Sequence, residues 1–544
     1  MSARRTVRPG LGRFATLGRG GPARRGAAIA GMIALGLVAS ACGGDDDEKS
    51  PGPSNAPATA AAKSGGRITM LAVQDSAALD VFRTSNVAVA DEPRLAALYD
   101  PLVYINPKDQ KVNAHLAESL SSADNGATWT LKLRPGVTFS DGTPFDADAI
   151  KVNYDKQADM ATRSVHIGAA STFKAEVVDP LTVKLTPVGA PNPNLDRLIA
   201  VELPYIEAPS AISKGPEAYG AQPIGAGPFV LKSWSRGNEQ VFERNPNYWQ
   251  KDKGLPKLDG FTVKNVPDIQ QQYTSVKSGQ ADLFVSSDQK LLGDAAKELN
   301  ASELKTDGGQ MVQFNLRKGP FTDPRARRAV TLALDPADIP KTLNNGYVPA
   351  KGFFNQSGPY ADPAVTQAAQ NKAEAQRLFN ELAAEGKKLN FRYLVPQNPS
   401  SVRVAEWMQG QLRTFQNVDM SIDSVEIGAY IQKYAISRDF DAMLFQQWVV
   451  DPEPTAFSAW YSKSPFNVIG WNSPAADEAL AKGRGSTDPA VRKQAYSDLQ
   501  KAIVAELPFW VYAESSNGAI FNDKVTGIEH YNSGVFFMDR IGLK

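Results

Sequence analysis

The sequence predicts an α/β protein with more than one structural unit, and three observations predict it. The chain has 544 residues, which allows about three or four units at roughly 100–200 residues per domain. Residues 389–427 read as a strand, an amphipathic helix and a second strand, a pattern that implies parallel pairing. Residues 104–215 are instead rich in short strands and turns, which indicates a small β-rich unit.

The first 41 residues predict an export signal. They carry seven arginines and no acidic residue, and residues 26–41 form an uncharged run of small and apolar side chains. Sixteen residues are too few to span about 30 Å of hydrocarbon, and a positive segment before a short apolar run is typical of a signal peptide. A buried core helix is disfavoured because no polar face is patterned in this run. The pair Arg24 and Arg25 leaves open whether export uses the general or the twin-arginine route.

The apolar run ends at a cysteine that predicts lipidation. The sequence from Ala39 to Cys42 resembles a bacterial lipobox, in which the cysteine sulfur carries lipid and the chain is cut just before it. Cys42 is the only cysteine of the chain, which excludes an internal disulfide framework and any cysteine-cluster metal site. The rest of residues 42–64 is polar and rich in Pro, Ser and Ala, so we expect a flexible tether.

The charge balance argues against nucleic acid as a partner. The chain has 59 Lys and Arg residues and 58 Asp and Glu residues. Because seven arginines lie in the predicted signal, the remaining chain holds 52 basic against 58 acidic side chains. An acidic body lacks the clustered positive charge that phosphate binding requires.

The ordered sequence begins with a buried strand and continues into β-hairpins. Residues 65–73 have the apolar content of a buried strand. Trp129, Leu131 and Leu133 alternate along a later strand, after which Pro135 and Gly136 occupy the centre of a type II turn. Residues 177–185 read as another hairpin.

The second part of the chain alternates strands with helices. Strands are predicted over 389–395 and about 419–427, with a helix between them, and further short strands between 224 and 285. Asp-Pro pairs at Asp323, Asp335 and Asp488 each predict an N-cap followed by a proline at the first helical position.

Several long motifs resemble those of a known family. Residues 115–120 read HLAESL and residues 124–148 read DNGATWTLKLRPGVTFSDGTPFDAD. Further motifs follow in the expected order, PIGAGPF at 223–229, ERNPNYW at 243–249, SGQAD at 278–282 and PFTDPRARRA at 320–329. In these stretches the chain resembles the solute-binding proteins of bacterial ABC importers of the peptide, nickel and oligosaccharide group, extracellular family 5.

The resemblance implies a periplasmic-binding-protein-like α/β fold with two lobes, a hinge, a ligand cleft and an additional small β-rich domain. Lobe I would comprise 65–103, 216–300 and 509–544, the small domain 104–215, and lobe II 301–508. The chain would cross between the lobes near residues 300 and 510.

The resemblance also implies ligand-binding residues. In peptide binders of this family, an Asp three residues after a Trp pairs with the ligand α-ammonium, which assigns that role to Asp451 and makes Trp448 a cleft wall. The alternative for Asp451 is a solvated loop aspartate beside a proline. Lobe I would contribute the loop formed by Gln74, Asp75 and Ser76. Trp471 is a further candidate for the cleft, as are Trp407 and Trp460, although core packing is the commoner role of such residues.

The motifs give no support to catalysis, a cofactor or a metal. The sequence has no G-x-S-x-G, H-E-x-x-H or P-loop motif, and its three histidines are far apart. The resemblance therefore implies a monomeric lipoprotein on the outer face of the cytoplasmic membrane, which passes a peptide-like ligand to an ABC permease. An oligosaccharide, an opine or a metal chelate is an alternative ligand, and a secreted hydrolase or chaperone is an alternative role on the same scaffold.

Overall fold

A computed structural model describes residues 62–544 of the chain. The predicted export signal, Cys42 and the tether up to residue 61 lie outside the described residues. In residues 62–544 no helix combines the length and the apolar character needed to cross a bilayer.

Strands and helices alternate through most of the described chain. The strands are β1 (Arg67–Ala72), β2 (Val103–Ile105), β3 (Val112–Ala114), β4 (Ala117–Ser121), β5 (Trp129–Leu133), β6 (Phe173–Asp179), β7 (Thr182–Pro187), β8 (Phe229–Ser235), β9 (Glu239–Arg244), β10 (Gly260–Asn265), β11 (Leu283–Ser286), β12 (Asn300–Phe314), β13 (Leu389–Pro396), β14 (Val418–Val425), β15 (Ala442–Val449), β16 (Phe509–Phe521), β17 (Val525–Thr526), β18 (His530–Tyr531), β19 (Val535–Phe536) and β20 (Gly542–Leu543). The α-helices are α1 (Glu92–Tyr99), α2 (Ala147–Ala158), α3 (Ile167–Ala170), α4 (Leu195–Glu202), α5 (Pro209–Ile212), α6 (Pro216–Ala221), α7 (Ile269–Lys277), α8 (Gln289–Glu298), α9 (Pro324–Ala333), α10 (Asp338–Leu343), α11 (Lys372–Ala384), α12 (Pro399–Leu412), α13 (Ile427–Ile431), α14 (Pro452–Trp460), α15 (Pro474–Arg484) and α16 (Pro489–Glu506). A π-helical turn, Gln432–Ser437, continues α13.

One mixed sheet of ten strands runs through the molecule in the order β14-β13-β15-β12-β16-β11-β1-β10-β9-β8. We call the half built on β8, β9, β10, β1 and β11 lobe I, and the half built on β13, β14 and β15 lobe II. The long antiparallel strands β12 and β16 lie between the two groups and pair with each other along both halves. The α/β class and the two-lobe architecture predicted from the sequence are confirmed.

The pairing of the two long strands is interrupted where the lobes meet. Thr306 pairs with Ser515 and Gln310 with Ala513, so the register shifts between them. Gly308 and Gly309 fill the gap with φ angles of 98° and 120°, which glycine adopts without the cost that a Cβ would impose. A Cβ on Gly309 would lie 2.2 Å from the Ala513 carbonyl oxygen. The interruption lies within about ten residues of the crossings expected near 300 and 510, which stay a prediction.

A four-stranded antiparallel sheet forms the small β-rich unit. Its strand order is β4-β5-β7-β6, and Trp129, Leu131 and Leu133 turn their side chains into the core, as their alternation predicts. The predicted hairpin is formed by β6 and β7. The core of this sheet is continuous with that of lobe I.

Lobe II contains the predicted strand–helix–strand unit. Strands β13 and β14 pair in parallel over their whole length and α12 connects them. Val404, Met408 and Leu412 on α12 are buried against the sheet. Aspartates cap two of the three predicted helices, since Asp323 precedes α9 and Asp488 precedes α16.

The helix predicted to follow Asp335 and Pro336 begins later than expected. Helix α10 begins at Asp338, after an N-cap at Ala337 whose side chain makes no cap. The Asp335 carboxylate accepts a hydrogen bond from the amide of Ala337, two residues on, and so closes a turn rather than a helix.

Candidate functional site

A cavity of about 440 Å³ lies between the two lobes. Its size falls within the range of small-ligand sites. Lobe I and the loop after β11 provide Val73, Val89, Ile269, Val285, Ser286, Ser287 and Asp288, and lobe II provides Tyr347, Pro396, Asn398, Ser400, Ser401, Tyr430, Leu444, Phe445 and Gln446, with Gln310 from β12 between them. We call this space the cleft. A larger depression of about 670 Å³ involves only lobe II residues around 319–326 and 382–389.

Two helices begin at the cleft, one from each lobe. The Asp288 carboxylate caps α8 by accepting a hydrogen bond from the Leu291 amide over 3.0 Å. The Asn398 side chain caps α12 by accepting one from the Ser401 amide over 2.9 Å. Asp288 is the only Asp, Glu, Lys, Arg or His among the lining residues, so the cleft wall is largely neutral.

Three hydrogen-bonded side chains, of which Gln310 and Tyr347 line the cavity, form one side of the cleft, which we call its floor. Gln310 donates from Nε2 to the Tyr347 hydroxyl over 2.8 Å, and its Oε1 accepts from the Tyr512 hydroxyl over 3.0 Å. Burial raises the pKa of Tyr347, so its hydroxyl stays protonated at neutral pH. The floor therefore offers uncharged donors and acceptors.

Strand β15 presents part of its edge toward the cleft. Its antiparallel partner is β12, and on its other side β13 pairs only with Ala442 and Met443. Within residues 62–544, the stretch 444–449 therefore has no strand partner on that second side, although the Tyr430 hydroxyl donates to the Leu444 carbonyl. An extended ligand could add there through main-chain hydrogen bonds.

Asp451 caps α14 and lies buried where the lobes meet. Its Oδ1 accepts from the Glu453 amide over 2.9 Å and also from Arg492. Its Oδ2 accepts from Arg197 over 2.6 Å, from Arg492 over 2.9 Å and from Tyr360 over 2.9 Å. The solvated-loop alternative is wrong because the side chain has no exposed surface. The predicted contact with a ligand ammonium stays a prediction, and in this conformation arginines hold that position.

The charges around Asp451 set its ionisation. Burial alone would raise the pKa of this carboxyl, yet the positive charges of Arg492 and Arg197 hold it below its ordinary value. Glu453 lies beside it, and the Arg484 guanidinium lies 3.6 Å from its carboxylate. Burial raises the pKa of Glu453 to about 7.

Trp448 has an unpartnered donor beside the cleft. The residue is half-buried, and its indole Nε1 is shielded from solvent without a hydrogen-bond acceptor among residues 62–544. It lies two residues along β15 from Gln446, hence on the same face as that cleft residue. Its predicted role as a cleft wall stays a prediction that this geometry accommodates.

The predicted lobe I loop is held by lobe I itself. Asp75 accepts from the Trp234 indole over 2.9 Å and from the Gly237 amide over 2.8 Å. Ser76 is buried and donates to Asp91 over 2.5 Å, whereas the Gln74 side chain is exposed. The cleft wall is instead formed by the preceding residue, Val73, so the predicted ligand contacts of these three side chains have no support in this arrangement.

Trp471 belongs to the core of lobe II rather than to the cleft lining. It is 1% exposed, and its indole donates to Glu506 over 2.7 Å. Trp407 and Trp460 are buried in lobe II cores as well. Since their rings are enclosed by protein, none of the three faces the cleft, and the core alternative describes them better.

Sequence reasoning missed most of the residues that line the cleft. Asn398 and Pro399 carry the same cap-and-proline signal as the Asp-Pro pairs, so this end of α12 could have been located. Tyr347 comes from a loop and Tyr430 from the short helix α13, and neither residue carries a local sequence signal for the cleft. In residues 62–544 no group of three or more His, Cys, Asp or Glu side chains is arranged to hold a metal ion.

Comparisons with known proteins agree with this architecture. Residues 111–467 match the family model described as bacterial extracellular solute-binding proteins, family 5 middle. The glutathione-binding protein GsiB of Escherichia coli O1:K1 is 25% identical over 418 residues, which cover 74% of this chain and 80% of that protein.

Solved structures share the fold. The oligopeptide-binding protein AppA of Bacillus subtilis, in complex with a nonapeptide, has a TM-score of 0.76 and 19% identity over 89% of this chain and 100% of its own. NikA of Brucella suis, in complex with Fe(III)-EDTA, has a TM-score of 0.74 and 24% identity over 88% of this chain and 100% of its own.

Proposed function

We propose, from the premise that this chain belongs to the bacterial extracellular solute-binding proteins of family 5, that it captures a short peptide-like ligand in its cleft and delivers it to an ABC import permease. Proteins of this family are extracytoplasmic binding components of ABC importers, so this chain is a binding protein and not an enzyme. Its particular ligand is the subject of the proposal.

The cleft geometry carries the peptide proposal. The side of β15 without a strand partner begins at Leu444, Phe445 and Gln446, which line a cavity whose walls come from both lobes. A peptide backbone offers regularly spaced donors and acceptors, which match a strand edge better than the groups of a sugar do. The names of GsiB and AppA, a glutathione-binding and an oligopeptide-binding protein, support the same ligand class.

The neutral lining favours one alternative, an uncharged oligosaccharide. Tyr347, Tyr430 and Phe445 offer rings to stack on, and the lining has no Lys or Arg that would attract an anionic opine or chelate. A peptide remains the better fit because the strand edge would otherwise stay without main-chain partners.

A ligand screen tests the proposal directly. The protein would be heated with di- to pentapeptides, neutral oligosaccharides and metal chelates, and hits would be measured by calorimetry. A ligand at 100 times its Kd should add roughly 2.7 kcal/mol to the free energy of unfolding. Peptide binding with a Kd below about 10 μM supports the proposal, whereas binding confined to oligosaccharides or chelates would contradict it.

Closure of the lobes is the proposed mechanism. A ligand that contacts both lobes binds the closed form better and shifts the equilibrium toward it. Small-angle scattering should therefore show a smaller radius of gyration when ligand is added. A ligand that binds tightly to one lobe alone, as mapped by hydrogen exchange, would contradict closure.

We also propose that lipid on Cys42 attaches the protein, as a monomer, to the outer face of the cytoplasmic membrane. Two acyl chains on one cysteine are enough for stable attachment. Mass spectrometry of the exported chain should find lipid on Cys42, and Cys42→Ala should release the protein from the membrane fraction. Exported protein that is membrane-bound in the variant as well would contradict the anchor.

A further inference from the structure

Arg197 carries a positive charge from the small β-rich unit, whose core is continuous with that of lobe I and which is counted here with lobe I, to the carboxylate expected to hold a ligand ammonium. Its helix, α4, packs into the lobe I core through Leu198 and Ile199. The guanidinium donates from Nη2 to the Gln110 carbonyl over 2.9 Å, still within the lobe I side. Its Nη1 reaches Oδ2 of Asp451, across the boundary with lobe II, over 2.6 Å.

The acceptor sites of Asp451 are fully used. Two donations from Arg492 and one each from Tyr360, the Glu453 amide and Arg197 make five donors on one carboxylate. An ionised carboxylate offers about four lone-pair sites. A ligand ammonium therefore finds no vacant acceptor there unless a present donor leaves.

Arg197 is the donor whose departure the fold allows most easily. Arg492, Tyr360 and the Glu453 amide belong to lobe II together with Asp451, and Arg492 is 2% exposed. Arg197 alone belongs to the other lobe, and 15% of its side chain is exposed. When the lobes separate, Oδ2 of Asp451 thus loses its hydrogen bond from Arg197 and keeps those from lobe II.

A second polar contact beside Arg197 also joins the lobes. Asn194 is 1% exposed, and its Nδ2 donates to the Arg484 carbonyl over 2.7 Å and to the Ser486 carbonyl over 3.0 Å. On this side the polar contacts between the lobes are therefore made by the chain's own groups, without a ligand.

We infer that Arg197 is an interlobe latch that occupies Oδ2 of Asp451, the position that the family resemblance predicts for a ligand ammonium. The latch excludes an amino terminus from that position, so the ligand is one whose recognition does not depend on a free α-ammonium at Asp451. The ligand class rests on the proposed function, but the latch itself does not.

The latch is tested without any ligand. In a full-length chain carrying Cys42→Ala, spin labels are placed at Glu217→Cys on lobe I and Lys388→Cys on lobe II, both exposed positions. Their distance distribution is compared for the parent protein, Arg197→Met and the control Arg328→Met, an exposed arginine of α9. We expect Arg197→Met to lower the ratio of short to long distances at least threefold and Arg328→Met to leave it unchanged. An Arg197→Met distribution identical to that of the parent would overturn the latch.

The ligand class is tested with matched peptides. Each di- to pentapeptide that binds is compared with its N-acetylated form by calorimetry, in the unmodified protein and in Asp288→Asn. We expect acetylation to change Kd less than about threefold. A larger effect should disappear in Asp288→Asn, because Asp288 is the carboxylate that lines the cleft and could bind the ammonium there. A loss of more than tenfold on acetylation that persists in Asp288→Asn would overturn the assignment. If no peptide of either form binds, the proposed function fails, and the spin-label distances still decide the latch.

Discussion

The two zones where the lobes face each other use their polar groups in opposite ways. Around Asp451 the charged groups of both lobes are paired with one another, and the carboxylate has no exposed surface. In the cleft every lining side chain except that of Asp288 is uncharged, and one side of β15 lacks a strand partner among residues 62–544. Groups already paired within the protein hold it together, and groups still unpaired are the ones that a ligand can use.

The largest effect should come from the paired zone. Arg492→Met leaves the buried Asp451 without its bidentate partner, so the free energy of unfolding should fall by about 3–5 kcal/mol. Urea denaturation followed by circular dichroism measures the change, and Arg328→Met, on the surface, should stay within about 0.5 kcal/mol. A loss below 1 kcal/mol for Arg492→Met would mean that this zone does not stabilise the fold as described.

A somewhat smaller effect should appear in the pH dependence of the free energy of unfolding. Burial raises the pKa of Asp307, at the interruption of β12, to about 8. The folded protein then keeps a proton that the unfolded chain releases near pH 4, so this group's contribution to stability declines between about pH 4 and 8. Asp307→Asn keeps an acceptor for the Asn355 amide and removes the titration.

Between pH 5 and 8, the free energy of unfolding should fall by about 2–4 kcal/mol less in Asp307→Asn than in the unmodified protein. Unfolding by urea at several pH values measures the slope. Asp288→Asn in the cleft is the control, since Asp288 is only half-buried and asparagine also caps helices. Equal slopes for Asp307→Asn and the unmodified protein would contradict a neutral Asp307.

In the cleft, substitutions should weaken binding more than folding. Gln310→Ala removes the side chain that orients Tyr347, and we expect the Kd of a bound peptide to rise about tenfold, or about 1.4 kcal/mol. Gln494→Ala, on the exposed face of α16, is the matched control and should bind normally. An unchanged Kd in Gln310→Ala would show that Gln310 and its contact with Tyr347 do not contribute to ligand binding.

The smallest effect concerns Trp448. Trp448→Phe removes an indole donor that has no acceptor in the described chain, so the free energy of unfolding should change by less than about 1 kcal/mol. If the donor serves a ligand, Kd should rise about threefold by calorimetry. A stability loss above 2 kcal/mol would show that the indole donor is satisfied within the protein.

The framework of lobe II was predictable because its signals are local. The alternation in β13, the apolar face of α12 and the caps at Asp323 and Asp488 each depend on residues a few positions apart. Asp335 had the same signal, but the nearby turn to Ala337 used its carboxylate instead. Local patterns therefore gave the elements and missed one boundary.

The site was less predictable because its contacts are distant in sequence. Arg197 lies 254 residues before Asp451, and no spacing links the two. The burial of Trp471 likewise depends on Glu506 and on helices packed around it. Which side chains face the cleft is decided when the lobes come together, and the chain order of the motifs does not contain that information.

The two glycines at the break in β12 have a consequence for how motion in this protein can be followed. Because both connections between the lobes pass side by side through adjacent strands, we expect the proposed opening to bend the chain mainly at this break. Such an opening would be described largely by one angle. One well-chosen probe pair should therefore report the whole rearrangement, and a second pair placed elsewhere should change in proportion to it.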